Sequence, residues 1–270
     1  MKLLIKIIQF LKYSTYFIFN CSGREYNIKV FSKIHIVAAV TLNFIRVKSL
    51  TDPLQQLLLI EEIFRILPNI KGDIVECGCY NGASTISLSI ACALTRRKLF
   101  VCDSFEGLPV PNDDEKYDVS VNDLLKYHQW EKGQFASEGG MDGVKKVVAR
   151  YGKIEVCEFV KGYFRDSLKT IKTDSIVMIF EDADLASSVK DCLLYLWPKL
   201  QETCKFYSHE PWSINVVSLF YNKIFWESKL SSEPPGFFGS GRGIIKAGYY
   251  TNIGYAKKED ATKILSGGGK

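Results

Sequence analysis

At 270 residues, with 47% hydrophobic and 24% charged positions, the chain has the composition of an ordered globular protein, long enough for one large α/β domain with additions or two small ones. Its net charge of +5 is mild and its lysines and arginines are scattered, which argues against nucleic-acid binding and leaves a weak attraction to anionic membrane surfaces or phosphorylated substrates. The eight cysteines sit mostly in apolar segments, and the close pair Cys77 and Cys79 is spaced for neither a CxxC redox motif nor a zinc knuckle, so a reduced, cytoplasmic protein is expected.

The first element is MKLLIKIIQFLKYSTYFIFN, nearly continuous in apolar character. On a helical wheel Lys2, Lys6, Gln9, Tyr13, Tyr16 and Asn20 share one face and Lys12 falls off it. Internal lysines interrupt the roughly 20 apolar residues that a membrane span needs, and no A-x-A cleavage site follows. Two readings stand side by side: a cationic interfacial helix at the inner face of a membrane, and a helix packed on the domain or on a second subunit of a homo-oligomer. Residues 1–48 are therefore set apart as an amphipathic, helical extension, followed by a main domain over 49–260 and a flexible tail over 261–270.

Thr51 to Leu67 has apolar residues at helical spacing, with Asp52 and Pro53 at its start and Pro68 beyond its end. From Gly72 onward short β-branched runs alternate with amphipathic stretches. Strands are expected at Asp73 to Cys77, Leu99 to Asp103, Glu155 to Val160, Ser175 to Phe180 and Cys204 to Ser208. Helices are expected at Ala83 to Leu94, Glu138 to Tyr151, Arg165 to Thr170 and Ala186 to Gln201. That order predicts a doubly wound, mostly parallel α/β sheet covered on both faces. Gly243 to Lys258 reads as an antiparallel hairpin added at the sheet edge. Pro109 to Gly140 is polar, breaks the alternation, and suits a lid or substrate loop. In it, His128 beside Trp130 suits a solvated position or a substrate contact. His35 reads as a packing histidine, and the helically spaced Trp212, Phe220, Tyr221, Phe225 and Trp226 as core or interface.

The stretch GDIVECGCYNGAST, from Gly72 to Thr85, ends a strand in Glu76, Gly78 and Gly82. In an open parallel sheet ligands bind at the carboxyl ends of strands; Gly78 permits a tight turn there, and Gly82 a close approach of backbone to ligand. The spacing is ExGxxxG, not the GxGxxG of nicotinamide sites, and it is the usual first motif of S-adenosylmethionine-dependent methyltransferases. The next strand ends in Asp103, about 20 residues on, where an acid accepts the ribose hydroxyls or, alternatively, caps whatever follows.

VECGCYNGAST, FVCDSFEGLP, EFVKGYFRDSL and FEDADLASSVKDCLLYLWPKL resemble, in order and spacing, the macrocin O-methyltransferase family of class I, Rossmann-like enzymes, from about Thr51 to Glu210. The resemblance implies methyl transfer to a sugar hydroxyl, often with a divalent metal. It implies that Glu76, Gly78, Tyr80, Asn81 and Ser84, with Asp103 and Ser104, contact S-adenosyl-L-methionine, and that Gly162 and Tyr163 lie near its adenine. In the family the fourth strand typically ends in D-x-D and the fifth in two aspartates. This chain keeps the first as Asp182 and Asp184 and departs at the second, where His209 and Glu210 stand.

Neighbouring strand ends are about 5 Å apart, so these side chains are expected to converge. Three readings are open. Asp182, His209 and Glu210 hold Mg²⁺ or Mn²⁺ with Asp184 as base; His209 is the base of a metal-free reaction; or the two aspartates cap the following helix while His209 hydrogen-bonds in the core. The expected acceptor is a sugar or glycan, lipid-linked in a surface-polysaccharide precursor or carried by a small glycoside. The rivals are an NAD-dependent sugar oxidoreductase and a non-catalytic module in glycan assembly.

Overall fold

The three-dimensional structure, a computed structural model, describes residues 2–259; the tail expected over 261–270 lies outside them. In chain order the elements are α1 (Lys2–Phe19), α2 (Val30–Arg46), α3 (Pro53–Arg65), β1 (Asp73–Cys77), α4 (Ala83–Thr95), β2 (Leu99–Asp103), β3 (Tyr117–Ser120), β4 (Asp123–Gln129) and α5 (Gly140–Tyr151). There follow β5 (Cys157–Lys161), α6 (Phe164–Ser167), β6 (Ile176–Glu181), α7 (Ala186–Leu196), β7 (Leu200–Ser208), α8 (Ile214–Leu219), β8 (Ile245–Lys246), β9 (Tyr249–Tyr250) and β10 (Gly254–Lys257).

The central sheet has six strands in the order β10-β7-β6-β1-β2-β5, with β10 antiparallel to β7 and every other pair parallel. β1 lies between β2 and β6, so the strand order reverses there and a crevice opens beyond its carboxyl end. Ile74, Val75 and Cys77 are fully buried in that central strand, as a parallel sheet covered on both faces requires. α3 starts on a complete capping box: the Asp52 carboxylate accepts from the Gln55 N–H at 3.0 Å, and the Gln55 side chain accepts from the Asp52 N–H at 2.7 Å. α4, rich in Ala, Ser and Thr, packs against α3 and β2.

Several expected boundaries shift, most clearly around Pro198. The helix expected to reach Gln201 stops at Leu196, because Pro198 has no N–H to continue the ladder. β7 accordingly begins at Leu200. The polar insertion after Pro109 contains the antiparallel hairpin β3–β4. At the C-terminus β8 and β9 pair only with each other, and the strand that follows, β10, completes the sheet edge.

α1 docks with the opposite face from the one its hydropathy suggests. Tyr13 and Phe17 are fully buried, and the Tyr13 hydroxyl donates to Glu61 of α3 at 2.5 Å, while Ile5, Ile8 and Leu11 face outward. The eight cysteines are all unpaired, and no described helix is long and apolar enough to cross a membrane.

Glu62 of α3 ties that helix to the sheet edge: Lys205 of β7 lies at 2.9 Å and Lys246 of β8 at 2.7 Å, and the Tyr207 hydroxyl donates to the same carboxylate. Burial pushes this acid up, but the two lysines and the hydroxyl outweigh it and hold the pKa at about 2 against 4.5. A carboxyl depressed on folding contributes stability above pH 4.5 and loses it as the pH falls toward 2, a swing on the order of 3 kcal/mol. Urea titrations of wild type and Glu62→Gln should therefore show a wide stability gap at pH 7 that narrows at pH 3. An equal gap at both values would remove Glu62 from the acid limb.

Candidate active site

The sheet's hydrogen bonding continues past the ends of its parallel strands and sets the following residues in a row. Gly162 N donates to Asp103 O (2.9 Å), Gly78 N to Cys102 O (2.9 Å), Asp182 N to Cys77 O (2.8 Å) and His209 N to Glu181 O (2.9 Å). Over this row lies an open cleft, concave in the manner of small-molecule sites. Gly78, Tyr80 and Asn81 line it from the loop after β1 and Ser84 from the start of α4, with Asp103 at the end of β2 and Ser104 just past it. Tyr163 and the pair Asp182 and Asp184 line it from beyond β5 and β6. Tyr80 and Asp184 are held at φ 46° and 59°, a left-handed conformation that costs non-glycine residues energy and concentrates at functional sites.

The remaining expected residues do not line the cleft. Glu76 is fully buried; one oxygen accepts from the Thr85 hydroxyl at 2.6 Å and the other has no protein donor. Burial pushes its pKa up to about 8. Gly82 is required for packing: a Cβ there would meet Val144 of α5 at 2.9 Å, so its closeness is to a helix, in place of the close approach to ligand expected of it. Gly162, at φ 135°, carries the turn from β5 into α6. Asp103 accepts from the backbone N–H groups of Cys79 (2.7 Å), Tyr80 (3.3 Å) and Phe105 (2.6 Å). A carboxylate has about four acceptor sites, so Asp103 chiefly clamps the glycine loop and has about one site left for a ribose hydroxyl.

Behind Asp182, four acids surround one imidazole. His209 Nδ1 lies 3.0 Å from Asp182 Oδ1 and 3.7 Å from Glu210 Oε1. Glu210 accepts from the Ser208 hydroxyl at 3.2 Å; Glu181 accepts from Ala183 N at 2.7 Å, while its second oxygen has no donor. Burial pushes Glu181 up to about 7 and raises Glu210 and Asp184 well above the usual carboxylate range. Burial alone would lower the His209 pKa, but Asp182 outweighs it and brings it to about 9. Ligand atoms of Asp182, His209 and Glu210 lie within 4.8 Å of one another, and two carboxylates with one imidazole fit a divalent ion. Neither aspartate caps α7, whose first turn is capped by Glu115 from the insertion, accepting from Ser187 N at 3.1 Å.

Two further walls close the cleft, of which only the second, from the insertion read as a lid or substrate loop, was visible in the sequence. Lys48, Leu50 and Thr51 line it from the turn between α2 and α3, and Gln134 and Phe135 from the end of the insertion. The cap at Asp52 marks the first turn as a strand-end neighbour only once the fold is known. His128 stacks on Trp130 (5.5 Å) and contacts Trp212 (4.5 Å), joining the insertion to the loop after β7, whereas Phe220 and Trp226 are core.

A family model described as Macrocin-O-methyltransferase (TylF) matches residues 49–204. The 8-demethyl-8-(2,3-dimethoxy-alpha-L-rhamnosyl)-tetracenomycin-C 4'-O-methyltransferase of Streptomyces olivaceus is 31% identical over 135 residues, 48% of this chain and 49% of that protein. The Mycinamicin III 3''-O-methyltransferase of Micromonospora griseorubida is 26% identical over 136 residues, 48% of this chain and 52% of that protein. The chain thus spans about half the length of the curated relatives it matches. Among solved structures, the O-methyltransferase NovP aligns with a TM-score of 0.54 at 19% identity, covering 76% of this chain and 78% of that one. CalS11, a calicheamicin methyltransferase, aligns with a TM-score of 0.55 at 16% identity, covering 84% and 93%. At such identities the structural likeness is one of fold.

Proposed function

From the premise that the chain belongs to the macrocin O-methyltransferase family, we propose that it transfers the methyl group of S-adenosylmethionine to a hydroxyl of a sugar or glycan. The observation that carries this reading is the row of strand ends on which a glycine loop clamped by Asp103 shares one cleft with Asp182 and Asp184. Residues 49–260 then form the transfer domain and 1–48 its helical extension.

The loop from Gly78 to Ser84, with Ser104 and Tyr163, binds and orients the cofactor; Glu76 and Gly82 hold the loop from behind. The cofactor, when bound, would supply an electrophilic methyl group whose sulfur leaves as a neutral thioether, and the acceptor hydroxyl would give its proton to a base. Asp184 lines the cleft beside Asp182, its carboxyl raised by burial and by that neighbour, and by position it is the base. His209 suits it less, since a pKa of about 9 keeps the imidazole protonated beside Asp182. Mg²⁺ or Mn²⁺ held by Asp182, His209 and Glu210 would supply Lewis acidity toward the acceptor hydroxyl.

The sugar acceptor is carried by a small glycoside or by a lipid. The name of the Streptomyces olivaceus relative gives a rhamnosyl-bearing substrate, which supports a sugar. The test is calorimetry with S-adenosylmethionine, with and without Mn²⁺, followed by mass spectrometry of glycosides incubated with the enzyme. Binding and a gain of one methyl group are expected; no cofactor binding at millimolar concentration would eliminate the reading. Binding without turnover on any sugar would favour a non-catalytic module.

A further inference from the structure

The N-terminal helices carry more positive charge than the whole protein. Residues 1–50 contain eight basic residues and one acidic residue, Glu25, a net +7 against +5 for the entire chain. The same stretch carries an apolar face that no described residue covers. α1 and α2 pack on each other and on α3, and α2 also on α4, which leaves their far sides outward. On α2 that side is Phe31, Ile34, Ala38, Leu42 and Ile45, at steps of three or four residues and therefore one stripe. Phe31 is 71% exposed and Ile45 77%, far beyond an isolated surface apolar residue. On α1 Ile5, Ile8, Leu11 and Phe19 continue it, with Lys6 and Lys12 exposed among them.

From this juxtaposition we infer that the outer face of α1 and α2 docks on an anionic lipid bilayer. An apolar stripe on a segment where Lys6, Lys12, Lys29, Arg46 and Lys48 are also exposed matches such a surface in both hydrophobicity and charge. A second copy on the same face would set two +7 segments against each other, so charge complementarity selects lipid over self-association. Neither helix crosses the bilayer, because none of the described helices is long and apolar enough; the contact is interfacial.

The stripe runs into the cleft. α2 ends at Arg46, and the turn that follows supplies Lys48, Leu50 and Thr51 to the cleft wall, with Leu50 56% exposed at the same time. Docking through α2 brings the cleft mouth to the headgroup level, where a sugar on a lipid anchor presents its hydroxyls. This consequence for the acceptor rests on the proposed methyl transfer; the docking does not.

The experiment is vesicle flotation of the full chain with phosphatidylcholine alone and with phosphatidylcholine containing phosphatidylglycerol. The protein floats with the anionic vesicles, releases as NaCl rises, and stays behind with the neutral ones. The double variant Phe31→Asp, Ile45→Asp, at exposed positions, loses at least tenfold in vesicle partitioning while its circular dichroism and its affinity for S-adenosylmethionine stay at wild-type values. No flotation of the folded wild type, or equal flotation of the double variant, overturns the inference. So does a wild-type dimer by light scattering that the double variant splits. Flotation without cofactor binding defeats the proposed activity and leaves the docking standing.

Discussion

Replacing Asp182 by asparagine is expected to lower kcat by roughly 10²–10⁴-fold, the usual worth of a positioned proton- or charge-handling group, while the cofactor's dissociation constant moves by less than about threefold. The side chain keeps its size, so the backbone bond from Asp182 N to Cys77 O is untouched and the protein folds. What disappears is the charge 3.0 Å from His209 Nδ1, which is what lifts that imidazole to about 9. Without it the largest upward pull on His209 is gone and its pKa falls, while one of the three ligand atoms gathered within 4.8 Å becomes a poor one. Single-turnover methylation measured beside cofactor calorimetry separates the two effects. Turnover within tenfold of wild type would refute a central role for Asp182.

The second large effect is on the loop itself. A Cβ added at Gly78 would lie 2.0 Å from the carbonyl oxygen of Asp182, and Gly78 stands at φ 88°. Neither side has room to yield, since the rungs from Gly78 N to Cys102 O and from Asp182 N to Cys77 O fix both backbones. Gly78→Ala should cost roughly 3–5 kcal/mol, lower Tm by about 10 °C, and weaken cofactor binding by more than about 100-fold. Gly140→Ala is the control: it also has positive φ (61°), but its Cβ would meet nothing within 4 Å, so only the conformational cost of about 1 kcal/mol applies. Equal melting temperatures for the two variants would show that the contact between Gly78 and Asp182 is not the constraint argued above.

How much of this was legible in the sequence depends on the range of the interactions involved. β1 and β2 begin and end where their apolar runs do, because strands buried on both faces need nothing but local composition to be recognised. The convergence of Asp182, Asp184 and His209 followed from their positions just past parallel strands. The docking face of α1 was illegible because it turns on Tyr13 finding Glu61, 48 positions away, which makes the side of the wheel that carries a hydroxyl the buried one. The cleft wall at Lys48 to Thr51 was hidden for the same reason: nothing in those residues says which strand ends they will meet. The clamp role of Asp103 was missed because a motif names a residue without saying how many N–H groups aim at it.

The hairpin of the insertion is moored to chain that lies beyond the stretch shared with the family. Val121 N donates to Trp212 O at 2.8 Å, Asn122 donates to Gly241 O, and Ser120 bridges Ser213, whereas the family match ends at residue 204. The hairpin's position is therefore dictated from residues 212–241, so sequence change in that late segment can shift the insertion while the glycine loop and its Asp103 clamp stay untouched.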